Sequence, residues 1–309
     1  MGAAALAALT SMAGNAHATA AIYNVTTTST CTLADAMEAI NRGAAFGTCA
    51  KPGLDPNNPD IIKLQAGKTF KIFGYPPATP PASPVLTPGT LFIKKAVKIQ
   101  SATANTMAIL MQNGPTRDGQ LGAVIFINLP PEAATVSFTD IDLVGTGATN
   151  RAIGIGIQGN DQSSTVSLTQ SWVRNFNLNG IYDQNASLTL QDSAIDNNGS
   201  NTGFNDGDAI FIESVGHTST TRLFMDHSSI TNNKDNALFT ELGHGSVSTI
   251  RNSTISNNTG TYGGVRVGGP DNNYKMRFIG STVAFNGGGT NDACGITCHT
   301  PDVAGIPSR

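Results

Sequence analysis

The chain has 309 residues, of which 39% are hydrophobic and only 13% are charged, with 34 glycines and 15 prolines. Its formal net charge of −3 provides no basic surface for phosphate groups, which argues against nucleic acid as a partner. No stretch reaches the roughly 18 apolar residues of a membrane span, so none is predicted. Asn, Thr, Ser and Gly fill the polar positions and disfavour helices, so the composition predicts a turn-rich, all-β protein.

The N-terminus has the character of a secretion signal. Residues 1–18 are small and mostly apolar, and Ala16-His17-Ala18 matches the small-x-small pattern of a cleavage site. This pattern predicts a signal-peptide remnant and a secreted protein, either extracellular or on the cell surface. Because no Lys or Arg precedes Arg42, a disordered alanine-rich tail is the alternative interpretation.

Four cysteines support export. Cys31 and Cys49 are 18 residues apart, and Cys294 and Cys298 are four apart. Four cysteines allow three pairings, of which we expect two local disulfides, one near each end of the chain. Disulfides persist in oxidising compartments, which agrees with a secreted protein.

One segment near the N-terminus has a helical pattern. Thr32 and Asp35 have the spacing of a capping box, with Asp in place of the usual Glu. Leu33, Met37 and Ile40 then share one face of the helix. Cys31 and Cys49 bracket this segment, so their disulfide would fix the helix in place.

From about residue 121 to residue 290 the chain repeats a pattern of strand and turn. Six apolar anchors occupy equivalent strand positions: Phe138, Leu168, Leu190, Met225, Ile250 and Phe278. Their spacings of 30, 22, 35, 25 and 28 residues vary around a fixed short pattern, which is typical of a β-solenoid. Serines follow most anchors after three residues: Ser171, Ser193, Ser228, Ser253 and Ser281. Asparagines end the next turn: Asn198, Asn233, Asn258 and Asn286.

The solenoid interpretation divides the chain into four parts. Residues 1–18 are the signal remnant, and residues 19–120 form the N-terminal cap and first coils. A surface loop with six prolines lies at residues 76–88 of that second part. Residues 121–290 form the repetitive coils, in which stacked serines and asparagines are structural, and residues 291–309 form a tail with the second cysteine pair.

The segment Cys31-Thr32-Leu33-Ala34-Asp35-Ala36-Met37 resembles the Cys-Ser-Leu-Arg-Glu-Ala-Ile segment that opens many exported bacterial β-helix proteins. Residues 192–198 and 252–258 resemble the coil repeat of the same group, and the resemblance covers most of residues 22–290. It implies a right-handed parallel β-helix of the pectin-lyase-like superfamily. That superfamily includes pectate lyases, polygalacturonases, epimerases, phage tailspikes and non-enzymatic adhesins, so the resemblance implies fold more than function.

Two neighbouring coils carry acidic residues at matching positions, one strand spacing of about 4.8 Å apart. Residues 206–213 and 235–241 align through Ile210 and Leu238, so Glu213 and Glu241 should be neighbours on one exposed face. With Ile210 inward, we expect Asp208 and Phe211 to face outward as well. A close carboxylate pair can act as acid and as base or nucleophile, as in retaining glycosidases. The catalytic candidates are Asp208, Glu213, Glu241 and His244.

The same face has five candidates for substrate binding: Tyr182, Phe211, His217, Phe239 and Arg266. We expect Asn236 beside them and Asp183 in the flanking coil. The segments Asn205-Asp206-Gly207-Asp208 and Gly243-His244-Gly245 resemble polygalacturonase signatures. That resemblance implies Asp208 as acid, Asp206 or Glu213 as base, His244 as a supporting residue and Arg266 as a substrate binder.

The acidic cluster also has a structural interpretation. Asp206, Asp208 and Asp235 could supply several of the six to eight oxygen ligands of Ca²⁺. The sequence therefore leaves two functions open. One is a monomeric, secreted protein that binds and cleaves a polysaccharide or cell-surface glycan, with hydrolysis favoured over elimination because the face has no Lys cluster. The other is a non-catalytic adhesin or structural β-helix with a calcium site.

Overall fold

The computed structural model describes residues 19–53, 55, 58–74, 87–114, 122–129, 135–146, 152–159, 164–199, 207–214, 222–241, 245–260, 264–268, 275–287 and 296–298. The signal remnant, most of the proline-rich loop and Cys294 lie outside these residues. None of the helices in the described part of the chain is long and apolar enough to span a membrane.

The predicted N-terminal helix is present as α1, Leu33–Arg42. The Thr32 hydroxyl accepts a hydrogen bond from the Asp35 backbone N–H and donates one to Asp35 Oδ2, so Thr32 is the N-cap and Thr32 and Asp35 pair as their spacing predicted. Gly43 ends the helix in the left-handed conformation, with φ of 69°. The buried face of the helix packs against the strands Asp60–Leu64 and Leu91–Ile93, and the helix thereby caps the first coils.

The Cys31–Cys49 disulfide is formed as expected, and it brackets α1. Cys49 is buried beside the helix, and Tyr23 donates a hydrogen bond from its hydroxyl to the carbonyl of the next residue, Ala50, at 3.0 Å. The disulfide thus joins the segment before the helix to the loop after it, and the Tyr23 hydrogen bond joins that loop to the strand that begins the first sheet.

Replacing both Cys31 and Cys49 with serine should lower the free energy of unfolding by about 3 kcal/mol, because the disulfide closes a loop of 18 residues in the unfolded chain. Denaturant unfolding of the variant and of the oxidised parent measures this difference. The reduced parent serves as a control and should unfold like the variant. Equal midpoints for the oxidised parent and the variant would show that the bond contributes nothing.

Within the described residues, three parallel sheets of nine, eight and eight strands form the body of the protein, and the chain passes through them in turn. The first sheet has nine strands: Ile22–Val25, Asp60–Leu64, Val97–Ser101, Thr135–Thr139, Thr165–Thr169, Ser187–Gln191, Arg222–Asp226, Val247–Arg251 and Lys275–Ile279. The second has eight: Thr69–Lys71, Ala108–Met111, Ile141–Val144, Trp172–Arg174, Ala194–Asp196, Ser229–Thr231, Thr254–Ser256 and Thr282–Ala284. The third has eight: Leu91–Ile93, Ala123–Asn128, Ile153–Gln158, Ile181–Gln184, Ile210–Glu213, Leu238–Glu241, Val265–Gly268 and Ile296–Cys298. Two short strands, Phe73–Gly74 and Thr87–Pro88, form a separate antiparallel pair.

The register of the first sheet confirms the repeat found in the sequence. Phe138 pairs with Leu168, and the remaining anchors pair with one another in the predicted order through Phe278. Most inward side chains of the three sheets are aliphatic or aromatic and form one continuous core along the axis. Burial of this apolar column supplies the main driving force for folding.

Polar ladders connect the coils at the two turns that the sequence marks. Each ladder serine after Ser171 accepts a hydrogen bond from the backbone N–H of the equivalent serine one coil earlier, as Ser193 does from Ser171 at 3.1 Å. Asn198 donates from its side chain to Asn233 Oδ1 at 3.0 Å, and the later asparagines continue the series. Apart from Ser281, which is half-buried, these residues are buried and bond to one another and to backbone carbonyls, so they stabilise the coil stack.

Candidate functional site

The predicted carboxylate pair lies on the outer side of the third sheet. Ile210–Glu213 and Leu238–Glu241 are adjacent parallel strands, and their register pairs Glu213 with Glu241. The inward positions Ile210 and Leu238 are fully buried, whereas both glutamates are half-buried at the ends of their strands. The backbones of the two glutamates are therefore one strand spacing apart, as expected.

One oxygen of Glu213 is held by two donors from the preceding coil. Tyr182 donates from its hydroxyl to Glu213 Oε2 at 2.6 Å, and Gln184 donates from Nε2 to the same oxygen at 3.0 Å. Gln184 also donates to the Tyr182 hydroxyl at 2.9 Å. Burial, and then the hydrogen bond to Glu213, raise the pKa of Tyr182 well above its usual range. The phenol thus stays protonated and presents its proton to the carboxylate.

The sequence interpretation missed Gln184. A signal for it was available, because the strand alignment through Ile181 and Ile210 places Gln184 directly beside Glu213. In the structure Gln184 orients both Tyr182 and Glu213 and so belongs to the candidate site.

Tyr182, Phe211, Phe239 and Arg266 occupy one column across four consecutive strands. The ring centroids of Tyr182 and Phe211 are 5.1 Å apart, and those of Phe211 and Phe239 are 4.9 Å apart. The Arg266 guanidinium lies over the Phe239 ring, 4.3 Å from its centroid. This column forms one wall beside the two glutamates.

The two phenylalanines do not form the open surface that the sequence predicted. Phe211 is only 7% exposed and Phe239 only 2% exposed, although both point away from the core. Each ring packs against its neighbours one strand spacing away, and Arg266 covers Phe239. Their predicted role in substrate binding stays a prediction; in the structure Phe211 packs against Tyr182, and Phe239 packs against Arg266.

The prediction that Asp208 faces outward is also wrong, because its side chain is 0% exposed. Asp208 lies an even number of residues from Ile210 and Ile212, so strand alternation itself favours the inner side. Its Oδ1 accepts a hydrogen bond of 2.8 Å from Asn236, which is buried as well and likewise does not join the outer face. Burial, with the added repulsion of Asp235, raises the pKa of Asp208 to about 8. A polymer on the surface cannot reach this carboxyl.

Asp183, expected beside the face, is buried too. It occupies an inward position between Ile157 and Ile212 of the neighbouring coils. Its Oδ1 accepts a hydrogen bond from the Ala186 N–H at 3.1 Å, whereas Oδ2 has no hydrogen-bond partner. Burial raises the pKa of Asp183 to about 8, so the carboxyl is held in its neutral form at neutral pH.

The calcium interpretation receives no support from the part of the chain that is described. Within it, no group of three or more His, Cys, Asp or Glu side chains could hold a metal ion. Asp208 is buried, and Asp235 accepts a hydrogen bond from the neighbouring Asn236 N–H at 2.9 Å. The remaining candidates of this cluster and face, Asp206, His217 and His244, lie outside the described residues.

Comparison with known proteins identifies the fold. No family model matches the sequence, and no curated protein matches it either. Among solved structures, the chain is similar to the crystal structure of the pectate lyase Pel9A, with a TM-score of 0.56 and 15% sequence identity. The match covers 91% of this chain and 68% of that chain. The predicted all-β, right-handed parallel β-helix with an N-terminal capping helix is thereby confirmed.

Proposed function

We propose that this β-helix binds and hydrolyses a polysaccharide on the outer side of its third sheet, with Glu213 and Glu241 as the catalytic pair. The observation that carries the proposal is the pairing of these two glutamates on adjacent strands beside Tyr182 and Gln184. The register places the backbones of the two glutamates one strand spacing, about 4.8 Å, apart, which is close to the carboxyl separation of about 5 Å in retaining glycosidases. The pectate-lyase-like fold supports a polysaccharide as the ligand class.

The different surroundings of the glutamates assign their roles. Glu213 accepts two hydrogen bonds on Oε2, so its other oxygen is oriented for attack on the anomeric carbon. Glu241 protonates the glycosidic oxygen as the bond to the anomeric carbon breaks, which leaves a glycosyl ester on Glu213. Glu241 then removes a proton from water, which attacks the anomeric carbon and releases Glu213. Both carboxyl groups return to their initial states.

Electrostatics favour hydrolysis over elimination at this face. Elimination requires removal of a proton beside a uronate carboxylate, and two adjacent glutamates repel a polyuronate. Arg266 lies beside the two glutamates, and its guanidinium is packed on the Phe239 ring. A neutral polysaccharide meets no such repulsion.

Replacing either Glu213 or Glu241 with glutamine should lower the rate of polysaccharide cleavage by at least about 100-fold, because each variant removes one of the two proton- or glycosyl-transfer groups. Release of reducing ends from a panel of neutral and acidic polysaccharides measures the rate. Glu38→Gln is the matched control, since Glu38 pairs with Arg42 on the capping helix at 2.6 Å, away from the site. It should cleave like the parent.

The same panel separates the competing functions. An elimination reaction would reveal itself by ultraviolet absorbance of an unsaturated product, and its dependence on calcium is tested with EDTA. If no polysaccharide is cleaved, or if both glutamine variants keep the parental rate, the catalytic proposal is refuted. Binding without cleavage would support the non-catalytic adhesin.

We further propose that the protein is exported and acts outside the cytoplasm. The disulfide between Cys31 and Cys49 supports this location, because such bonds persist in oxidising compartments. Fractionation of cells that express the full chain, followed by immunoblotting, tests it. Detection of the protein only in the cytoplasm would refute the proposal.

A further inference from the structure

The outer side of the second sheet carries an exposed indole. Trp172 is the one tryptophan of the chain, and it is 43% exposed. In the register of the sheet it lies between Asp142 and Ala194. Beyond Ala194 the same column continues with small polar residues: Ser229, Thr254 and Thr282. A shelf with small side chains therefore extends from one side of the indole.

Charged groups beside the indole are held in fixed positions. Arg174 donates from Nε and Nη2 to the two oxygens of Asp142, at 2.8 and 2.7 Å. Its guanidinium also lies 5.8 Å from the Trp172 ring centroid. Asp196 is the register partner of Arg174 in the next coil, and its Oδ1 accepts hydrogen bonds from Thr231 and from the exposed Asn232. These polar groups are thus organised before any ligand arrives.

Packing of the coils does not require a large ring at this position. The side chain points away from the core, and the equivalent residues in the following coils are alanine, serine and threonine. An exposed indole gains little by burial within its own chain, whereas it offers a flat apolar surface with a polar edge to a ligand. The contacts of Trp172 therefore indicate a binding role.

We propose that Trp172, Asp142, Arg174 and Asp196 form a binding site for a neutral glycan on the outer side of the second sheet, separate from the Glu213 and Glu241 face. The C–H face of a pyranose ring packs on the indole, and its hydroxyl groups donate to the carboxylate of Asp196 beside the shelf. Asp142, which is 5% exposed on the other side of the indole, holds Arg174 in place. Two carboxylates and one guanidinium give this patch a net charge of −1, which complements hydroxyl donors and repels a uronate.

Fluorescence of the single tryptophan reports on this site directly. We would titrate Glu213→Gln, which keeps Trp172 and removes a group proposed for cleavage, with neutral hexasaccharides of glucose, xylose, mannose, arabinose and galactose. At least one of them should change the emission in a saturable manner. Hexagalacturonate should bind at least about tenfold more weakly, equivalent to about 1.4 kcal/mol.

Matched variants distinguish binding at Trp172 from effects on folding. Trp172→Ala should lose calorimetric binding of the hexasaccharide found by fluorescence, with an unchanged melting temperature. Phe224→Ala is the control, since Phe224 is another exposed ring, 39% exposed, beneath a paired arginine on the first sheet. It should bind like the parent. An unchanged emission with every neutral hexasaccharide, or undiminished binding by Trp172→Ala, would overturn the proposal whether or not the protein is an enzyme.

Discussion

Replacing Asn233 with alanine should lower the free energy of unfolding by about 3–6 kcal/mol, the largest effect that we expect from one side chain. Asn233 is 0% exposed, and its Nδ2 donates to the carbonyls of Ile195 and Thr231 and to Asn258 Oδ1, at 3.1, 2.9 and 2.8 Å. Its Oδ1 accepts from the backbone and the side chain of Asn198. Alanine leaves these buried groups without partners, and each costs about 1–3 kcal/mol.

Thermal and denaturant unfolding measure the loss, and a fall in melting temperature of about 8 °C or more is expected. Asn232→Gly is the matched control. Asn232 precedes the ladder in the left-handed conformation, with φ of 57°, which glycine adopts without strain, and its side chain is exposed. The control should lose about 1 kcal/mol or less. If the two variants had the same melting temperature, the asparagine ladder would not be the source of coil stability.

The repeat made much of the fold predictable from sequence. Because coils of a solenoid stack in register, aligning one anchor such as Leu190 with Met225 also assigned the neighbours of every nearby residue. The pairing of Glu213 with Glu241 followed from that alignment and is confirmed. The serine and asparagine ladders were predictable for the same reason, since each position recurs once per coil.

Side-chain environments at the edges of the strands were less predictable. Asp208 and Asn236 lie before their strands begin, but each is two residues from an inward side chain, so alternation continued past the strand end correctly predicts that both are buried. Phe211 and Phe239 do point outward, yet side-chain packing covers them. Sequence periodicity carries no information on what lies above an outward residue. The carboxylate pair and its register neighbours were therefore predictable, and the packing that covers the phenylalanines was not.

Stability should fall as the pH rises from about 4 to about 8, and Asp183→Asn should remove part of this slope. In the folded protein burial raises the pKa of Asp183 from its ordinary value of 3.8 to about 8. Between these values the folded protein binds a proton at Asp183 that the unfolded chain has lost. Rising pH therefore favours unfolding, by up to about 1.4 kcal/mol per pH unit for each such carboxyl.

The same difference in proton binding sets the pH range over which Asp183 affects stability. Below about pH 4 both states are protonated at Asp183, and above about pH 8 both are ionised, so the contribution of Asp183 to the slope vanishes at either end. Asparagine keeps the acceptor for the Ala186 N–H, so the variant should approach or exceed the parent in stability at pH 8 and lose its advantage at pH 4. Asp208→Asn should behave in the same way, because burial raises the pKa of Asp208 to about 8 as well.

Denaturant unfolding from pH 4 to pH 9 measures these slopes, and Asp226→Asn provides a control of opposite sign. Hydrogen bonding to Arg251 lowers the pKa of Asp226 to about 2, so its contribution to stability is present above the ordinary pKa and is lost as the pH falls toward 2. That variant should be less stable than the parent at neutral pH and keep the parental slope above pH 5. If Asp183→Asn keeps the parental slope, the carboxyl of Asp183 is ionised in the folded parent. The hydrophobic column around Ile157 and Ile212 would then have to contain a compensating charge or water.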